Sequence, residues 1–274
     1  MTFSVTEGGQ GDYPEIDALR EAIEWPAGTW FFEPVFAGAG VAPLVRDSGG
    51  ALIGMGLGAA FGNGGFIGNM VVHPEHQRRG IGAAVFEYLL EWFKARGVQA
   101  IQLEATPEGR PLYERYGFAV RWESLTGVCV RVPEDDASAD VRPLGEGDWP
   151  SALALARRAY GEDRGAFLRA LAALPDTAEA AGLHEDGRVT AFAIRRAGRL
   201  GPFCAENPQS AERLARVLLN RAGEGTRVPV GRGQHTAFWE RLGIEVEPND
   251  VRMALGEPDD DPAKLFAMLN GGVG

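Results

Sequence analysis

Apolar residues recur along residues 1–132 in two periods, and these periods predict helices alternating with strands. Spacing of three to four predicts helices, and Ile16, Leu19 and Ile23 form one such stripe. Apolar runs bounded by glycine-rich turns predict strands. The predicted strands cover residues 2–6, 42–46, 51–61, 66–72 and 99–104, with two more within 118–132, and the predicted helices cover 14–24, 80–96 and 107–116. This order predicts an α/β fold, with a mixed, mostly antiparallel sheet flanked by helices.

The sequence also repeats itself. The stretch from Val5 to Pro14 (VTEGGQGDYP) matches the stretch from Val141 to Pro150 (VRPLGEGDWP). Further along each copy, residues 113–120 (YERYGFAV) match residues 239–246 (WERLGIEV). Two matches in the same order indicate one fold used twice.

The repeat divides the chain into two domains. We predict a first domain at residues 1–132, a polar and acidic linker at 133–140, and a second domain at 141–256. Residues 257–274 form a tail, whose residues 263–269 are predicted to add a short helix.

Composition narrows the class of protein. The net charge of -11 disfavours a surface that binds nucleic acid. The two cysteines, Cys129 and Cys204, indicate no disulfide framework. No apolar run reaches the roughly 18 residues that a membrane helix needs, and residues 1–12 do not resemble a secretory signal. We therefore predict a cytoplasmic protein that binds neither nucleic acid nor membrane, either a monomer built as a pseudo-dimer of domains or a homodimer.

The residues with most potential for binding or catalysis lie between Asn69 and Ala84. There a predicted strand is followed by a turn, then by a pair of glycines and a long predicted helix. The amides of a helix's first turn lack internal partners, and the helix dipole is positive there. Glycines at this place permit an anion to approach the backbone closely, and Arg78 and Arg79 add positive charge. The alternative is that Gly80 and Gly82 only let the helix pack on the strand.

The segment from Gln77 to Gly82 (QRRGIG) resembles the Gln/Arg-x-x-Gly-x-Gly/Ala motif of the GNAT superfamily of N-acetyltransferases. The preceding VVHP and the later YERYGF from Tyr113 fit the same family in the same order. The resemblance implies two tandem GNAT-like domains, the first transferring an acetyl group from acetyl-CoA to an amine. It also implies a set of cofactor-binding residues: Met70, Val71 and Val72 for the pantetheine, and Arg78, Arg79, Gly80, Ile81, Gly82 and Ala83 for the pyrophosphate.

Direct transfer needs a base for the amine and an acid for the departing thiolate. The resemblance places Glu104 where many members keep a carboxylate base, and Tyr113 where the family often keeps its acid. The alternatives are that Glu104 is an ordinary polar residue at a strand end and that Tyr113 is core packing. Between them this chain has eight residues and no Asn, whereas many relatives have a longer stretch.

The second copy lacks these features. Its matching stretch, residues 201–218, has neither the glycine pair nor the paired arginines, and Glu206 and Glu212 would repel a pyrophosphate. Trp239 stands in the place of Tyr113, and residues 227–230 offer no carboxylate. We therefore predict a degenerate second domain that binds no acetyl-CoA.

The sequence thus predicts an acetyl-CoA-dependent N-acetyltransferase whose acceptor is the amine of a small molecule or a peptide. No metal is predicted, because His73 and His76 lack further ligands at metal spacing. The alternatives are an acyl-CoA-binding sensor without turnover and a substrate-binding scaffold of a larger assembly.

Overall fold

The computed structural model describes residues 3–25, 32–134, 139–175, 177–231 and 235–269. Residues 135–138 of the predicted linker and the last five residues of the predicted tail lie outside these ranges. Before the linker, the chain forms β1 Ser4–Glu7, α1 Tyr13–Glu21, α2 Phe32–Phe36, β2 Ala39–Val41, β3 Pro43–Arg46, β4 Leu52–Phe61, β5 Gly64–Val72, α3 Ile81–Lys94, β6 Ala100–Ala105, α4 Arg110–Arg115 and β7 Ala119–Cys129.

After the linker, the same order of elements returns. The chain forms β8 Val141–Pro143, α5 Trp149–Tyr160, α6 Gly165–Ala172, β9 Thr177–Glu185, β10 Arg188–Arg196, β11 Arg199–Ala205, α7 Pro208–Ala222, β12 Arg227–Gly231, α8 Thr236–Arg241, β13 Ile244–Leu255 and β14 Leu265–Ala267. Thus β11, α7 and β12 stand for β5, α3 and β6. Among the described elements, β2 and β14 alone have no counterpart, so the repeat read from the sequence extends over the whole fold.

The strands of both halves form one continuous sheet in the order β1-β3-β4-β5-β6-β13-β7-β12-β11-β10-β9-β8, with β2 beside β4 and β14 beside β11. Its pairings are antiparallel except for β5 with β6 and β11 with β12. The mixed, mostly antiparallel sheet predicted from the sequence is therefore confirmed.

The two halves exchange their last strands. β13, from the second half, lies between β6 and β7 and pairs with both. β7, from the first half, pairs in turn with β12 of the second. The prediction of two strands within residues 118–132 is wrong, because that segment forms the single long strand β7 and its neighbour comes from the other half.

A hydrophobic core also joins the halves. On one face of the sheet, Ile16 of α1 and Phe32 of α2 belong to the same buried cluster as Trp149 of α5 and Phe167 of α6. On the other face, α3 packs Val85, Phe86, Leu89 and Phe93 over the first half, and α7 covers the second. The halves are therefore held together by packing as well as by strand pairing.

The tail departs from its prediction. Instead of a helix at 263–269, it forms a 3-10 turn at Pro262–Lys264 and then β14, which pairs with β11. The apolar run Leu265–Ala267 finds an open strand edge there, and strand pairing overrides local helical spacing. Within the described residues, no helix has the length and apolar character to cross a membrane.

Candidate active site

The candidate site lies next to a β-bulge in β5. Met55 of β4 pairs with Val71, and Leu57 pairs with Gly68, so the single residue Gly56 faces both Asn69 and Met70. Asn69 takes a left-handed conformation with φ of 50°, and Arg20 of α1 donates a hydrogen bond to its side-chain Oδ1. A bulge bends its strand and interrupts the ladder. This one turns the end of β5 away from the regular sheet.

The end of β5 also separates from β6. The two parallel strands pair from Gly64 with Ala100 to Ile67 with Leu103. Beyond Ile67 and Leu103, no pairing joins β5 to β6, and the structure describes all residues of both strands there. The β6-facing backbone edge of Met70, Val71 and Val72 is therefore open, as a segment that pairs with an extended ligand requires.

The loop after β5 leads directly into α3. A short 3-10 turn at Pro74–His76 is followed by Arg78 with φ of 59° and Gly80 with φ of 85°. Gly80 is the N-cap of α3, and Gln77, Arg78 and Arg79 are exposed beside it. The loop thus brings two exposed arginines next to the N-terminus of α3.

The surroundings of Gly82 show whether the loop between β5 and α3 could bind a pyrophosphate. A Cβ added at Gly82 would lie 3.6 Å from Val72 Cγ2 and 3.9 Å from Leu112 Cδ2, which is ordinary contact distance. Packing inside the protein therefore does not require a glycine here. A bare backbone in the first turn of α3, where the amides have no partners within the helix, permits an anion to approach closely, so the residues present fit the pyrophosphate of a coenzyme.

Glu104 lies at the first position of β6 after the pairing with β5 ends. Its side chain is only 3% exposed and is held by two donors. Arg252 of β13 donates from Nε to Oε1 at 2.5 Å, and Ser124 of β7 donates from Oγ to Oε2 at 2.7 Å. The sequence offered no sign of Arg252, because the exchanged strand that brings it belongs to the other half.

Tyr113 lies in α4 and packs against the rings of Phe86 and Phe118 at 5.0 and 6.4 Å between centroids. Burial, and then the negative charge of Asp250, raise the pKa of Tyr113 to about 12. The phenol therefore keeps its proton at neutral pH. The nearby Tyr116 differs, because its hydroxyl donates to Glu87 Oε1 at 2.6 Å.

Asp250 of β13 is a second carboxylate at this place that sequence reasoning missed. Burial, followed by the charges of Glu104 and Glu108, raises its pKa above the ordinary 3.8. Its charge acts on Tyr113 as well, so Asp250 lies near both residues predicted to be catalytic. Asp250 and Glu104 line a cavity of about 230 Å³ that crosses from the first half to the second.

Family models match both halves of the chain. A model described as "Acetyltransferase (GNAT) family" matches residues 11–118, and one described as "Acetyltransferase (GNAT) domain" matches residues 152–267. The chain belongs to the GNAT family of acetyltransferases. It is a tandem GNAT protein, and its family membership makes it an acyltransferase. No curated protein has a significant sequence match to it.

Solved structures share the tandem GNAT fold along nearly the whole chain. An acetyltransferase candidate from Pyrococcus horikoshii has a TM-score of 0.86 at 20% identity, covering 99% of this chain and 96% of its own. A GCN5-related N-acetyltransferase from Sphaerobacter thermophilus has a TM-score of 0.65 at 17% identity, with 96% and 98% covered. A tandem GNAT protein from the clavulanic acid biosynthesis pathway has a TM-score of 0.61 at 14% identity, with 93% and 98% covered. At these identities the similarity establishes the fold.

In the second GNAT domain, the gap that corresponds to the open one between β5 and β6 is filled. β11 and β12 pair only at Arg199 with Arg227. The tail strand β14 pairs with β11, and the amide of Met268 donates to the carbonyl of Pro229 in β12 at 2.9 Å. Trp239, in the place of Tyr113, donates from its indole Nε1 to the carbonyl of Phe266 at 2.7 Å. The tail thus occupies the space between the two strands.

The second domain also lacks an anion loop. Only Glu206 and Asn207 connect β11 to α7, whereas residues 73–80 connect β5 to α3. Asn207 caps α7 itself, since its Oδ1 accepts the amide of Ser210 at 2.9 Å. Glu206 is bound by Arg158 and Arg188. A short, self-capped and acidic connection is unfavourable for binding a pyrophosphate.

Among the described residues, one group of possible metal ligands is clustered. The ligand atoms of His73, Glu75 and His76 lie within 4.8 Å of one another, in the turn before the glycine loop. The Nδ1 atom of His73 already accepts the amide of Glu75 at 3.3 Å. Three side chains from one turn are fewer than the four ligands of a structural zinc site.

Proposed function

We propose that this tandem GNAT protein transfers the acetyl group of acetyl-CoA to a primary amine, in one site in its first domain. The observation that carries the proposal is the open gap between the ends of β5 and β6. The glycine loop at the start of α3 follows the end of β5, Glu104 is the first residue of β6 past the last pairing, and Tyr113 packs against Phe86 of α3. The corresponding gap in the second domain is filled by β14, which supports a single site.

The residues of the first domain divide the binding of acetyl-CoA between them. The first-turn amides of Ile81, Gly82 and Ala83, with Arg78 and Arg79, would hold the pyrophosphate. The open edge of Met70, Val71 and Val72 would pair with the pantetheine amides, and an amide there would bind the thioester oxygen. Acetyl-CoA supplies an acetyl thioester, in which the carbon–sulfur bond breaks as the acceptor nitrogen bonds to the acetyl carbon.

Two side chains of the first domain move the protons of the reaction, one lost by the amine and one gained by the departing thiolate. Glu104 takes the proton that the amine loses, either directly or through a water molecule. Tyr113 gives a proton to the departing thiolate, and its phenol is protonated at neutral pH before the step. Asp250 attracts the positively charged acceptor into the cavity, while Arg252 and Ser124 orient Glu104. The second domain thus contributes Asp250 and Arg252 to the site of the first.

The test is release of free thiol from acetyl-CoA in the presence of a panel of small amines and peptides, with the products identified by mass spectrometry. We expect thiol release that depends on an amine, and a product heavier by one acetyl group. Tight binding of acetyl-CoA without release against any amine would contradict catalysis and indicate an acyl-CoA sensor. Absence of both binding and release would contradict the acetyl-CoA site itself.

A further inference from the structure

Two arginines lie side by side at the second-domain end of the cavity. Arg199, which begins β11, and Arg227, which begins β12, are direct register partners, and both line the cavity. Burial, and then the charge of Arg227, lower the pKa of Arg199. Neither arginine forms an ion pair with any residue in the described ranges. Like charges directly opposite each other on neighbouring strands are unfavourable, so this arrangement lacks a counter-ion.

The remaining charges of the cavity are of opposite sign. Glu104 and Asp250 lie at its other end, with Ser124 and Thr126 of β7 between the two ends. Arg252 already binds Glu104, whereas Asp250 has no such partner in the described part of the chain. The cavity therefore has a negative end at Glu104 and Asp250, near the gap between β5 and β6, and a positive end at Arg199 and Arg227, where β11 and β12 begin. A ligand with both charges would complement it.

We propose that the acceptor is a small amine that also carries an anionic group, with its amine at Glu104 and Asp250 and its anion at Arg199 and Arg227. The inference rests on the proposed function and names the substrate class of that site. Arginine is the residue best suited to bind a carboxylate or phosphate with two parallel hydrogen bonds. Either anion satisfies the geometry, and the experiment below separates them.

The dimensions of the cavity limit the length of the acceptor. Glu104 and Arg199 lie four strands apart, in the order β6, β13, β7, β12 and β11, which is roughly 19 Å across the sheet at about 4.8 Å per step. They are also offset along the strands by roughly 20 Å at about 3.3 Å per residue, because Glu104 is level with Trp122 and Arg199 with Val128. The arginine side chains extend back over part of this distance. At 230 Å³, the cavity is smaller than the roughly 300–1,000 Å³ of drug-sized sites. An acceptor that reaches both ends therefore has its amine and its anion separated by a spacer of peptide length.

The experiment compares matched acceptors that differ only in the anion. Amino acids and short peptides are assayed against their C-terminal amides, and phosphoethanolamine against ethanolamine. We expect the anionic member of at least one kind of pair to have a kcat/KM at least about tenfold higher, as a charge-assisted hydrogen bond predicts. The carboxylate and phosphate arms identify which anion the site takes.

Substitutions then assign the preference to the arginines. In the double variant Arg199→Gln, Arg227→Gln, we expect the preference to disappear through a slower reaction of the anionic acceptor, while the neutral acceptor reacts at its original rate. The matched control is Arg241→Gln, because Arg241 is exposed on α8 and donates to the carbonyl of Ala237 in its own helix. Thermal melting checks that each variant is folded.

Binding gives a readout that does not need turnover. The N-acetylated form of an anionic acceptor is titrated into the wild type and the double variant by calorimetry, with its neutral amide as control. Arginine-dependent binding of the anionic product supports the subsite. Equal kcat/KM within every pair, or a preference that survives the double substitution, overturns the inference but leaves acetyl transfer standing. Failure to bind acetyl-CoA overturns the proposed function instead.

Discussion

The contact between Arg252 and Glu104 links the two domains at the proposed catalytic base. Both side chains are nearly inaccessible, at 5% and 3% exposure, and they face each other in register across β13 and β6. Removing one partner of a buried ion pair leaves the other charge without compensation. In Glu104→Gln the amide oxygen can still accept from Arg252 and the amide NH2 can donate to the Ser124 hydroxyl, so this variant tests chemistry with less effect on folding than removal of the side chain.

Two carboxylates at the site have separable roles. For Glu104→Gln we expect kcat to fall by about 10²–10⁴-fold, because the base is gone. For Asp250→Asn we expect mainly a higher KM for the acceptor, with kcat little changed. Glu108→Gln, an exposed nearby change, serves as the control for charge. A large fall in kcat in Asp250→Asn together with nearly full kcat in Glu104→Gln would transfer the role of base to Asp250.

Tyr113 in α4 and Tyr116 at its C-terminal end offer a matched pair of substitutions. Tyr113→Phe keeps the ring packing against Phe86 and Phe118 but removes the proposed acid, so we expect kcat to fall by about 10²-fold with acetyl-CoA affinity unchanged. Tyr116→Phe removes a hydroxyl that binds Glu87, and we expect nearly wild-type rates. Steady-state kinetics and calorimetry measure both. A Tyr113→Phe enzyme with full activity would remove this residue from the mechanism.

At the scale of elements, the loop between β5 and α3 carries cofactor binding. We expect Gly82→Glu to weaken acetyl-CoA binding at least about 100-fold, by bulk and by repulsion of the pyrophosphate. Folding should survive, because the nearest atoms leave room for a Cβ and a carboxylate in the first turn suits the helix dipole. Gly147→Glu is the control, with nothing near its added Cβ. Unchanged affinity in Gly82→Glu would refute the assignment of the loop.

The elements of the first half follow from local sequence signals, and the pairing between halves does not. The stripe of Ile16 and Leu19 predicts α1, and the glycines at 80 and 97 bracket α3, because periodicity and caps act over a few residues. The position of β13 between β6 and β7 depends on contacts more than a hundred residues apart, which local patterns do not encode. Arg252 and Asp250 were missed for that reason, and so was β14.

At the scale of the molecule, the exchanged strands and the shared core make the domains interdependent. We expect residues 1–132 expressed alone to lack a cooperative melting transition, because β6 and β7 lose the strand that lies between them and the core around Phe32 loses its partners from α5 and α6. Adding residues 133–274 in trans should restore part of the transition. A first half that melts cooperatively by itself and binds acetyl-CoA would contradict this interdependence.

The central claim is that one chain carries one acetyl-CoA site, built in the first domain, while the tail closes the corresponding gap of the second. Calorimetric titration of the full chain with acetyl-CoA tests it most directly. We expect a stoichiometry of one per chain in the wild type and no binding in Gly82→Glu. Two equivalents per chain, or one equivalent that persists in Gly82→Glu, would contradict the account.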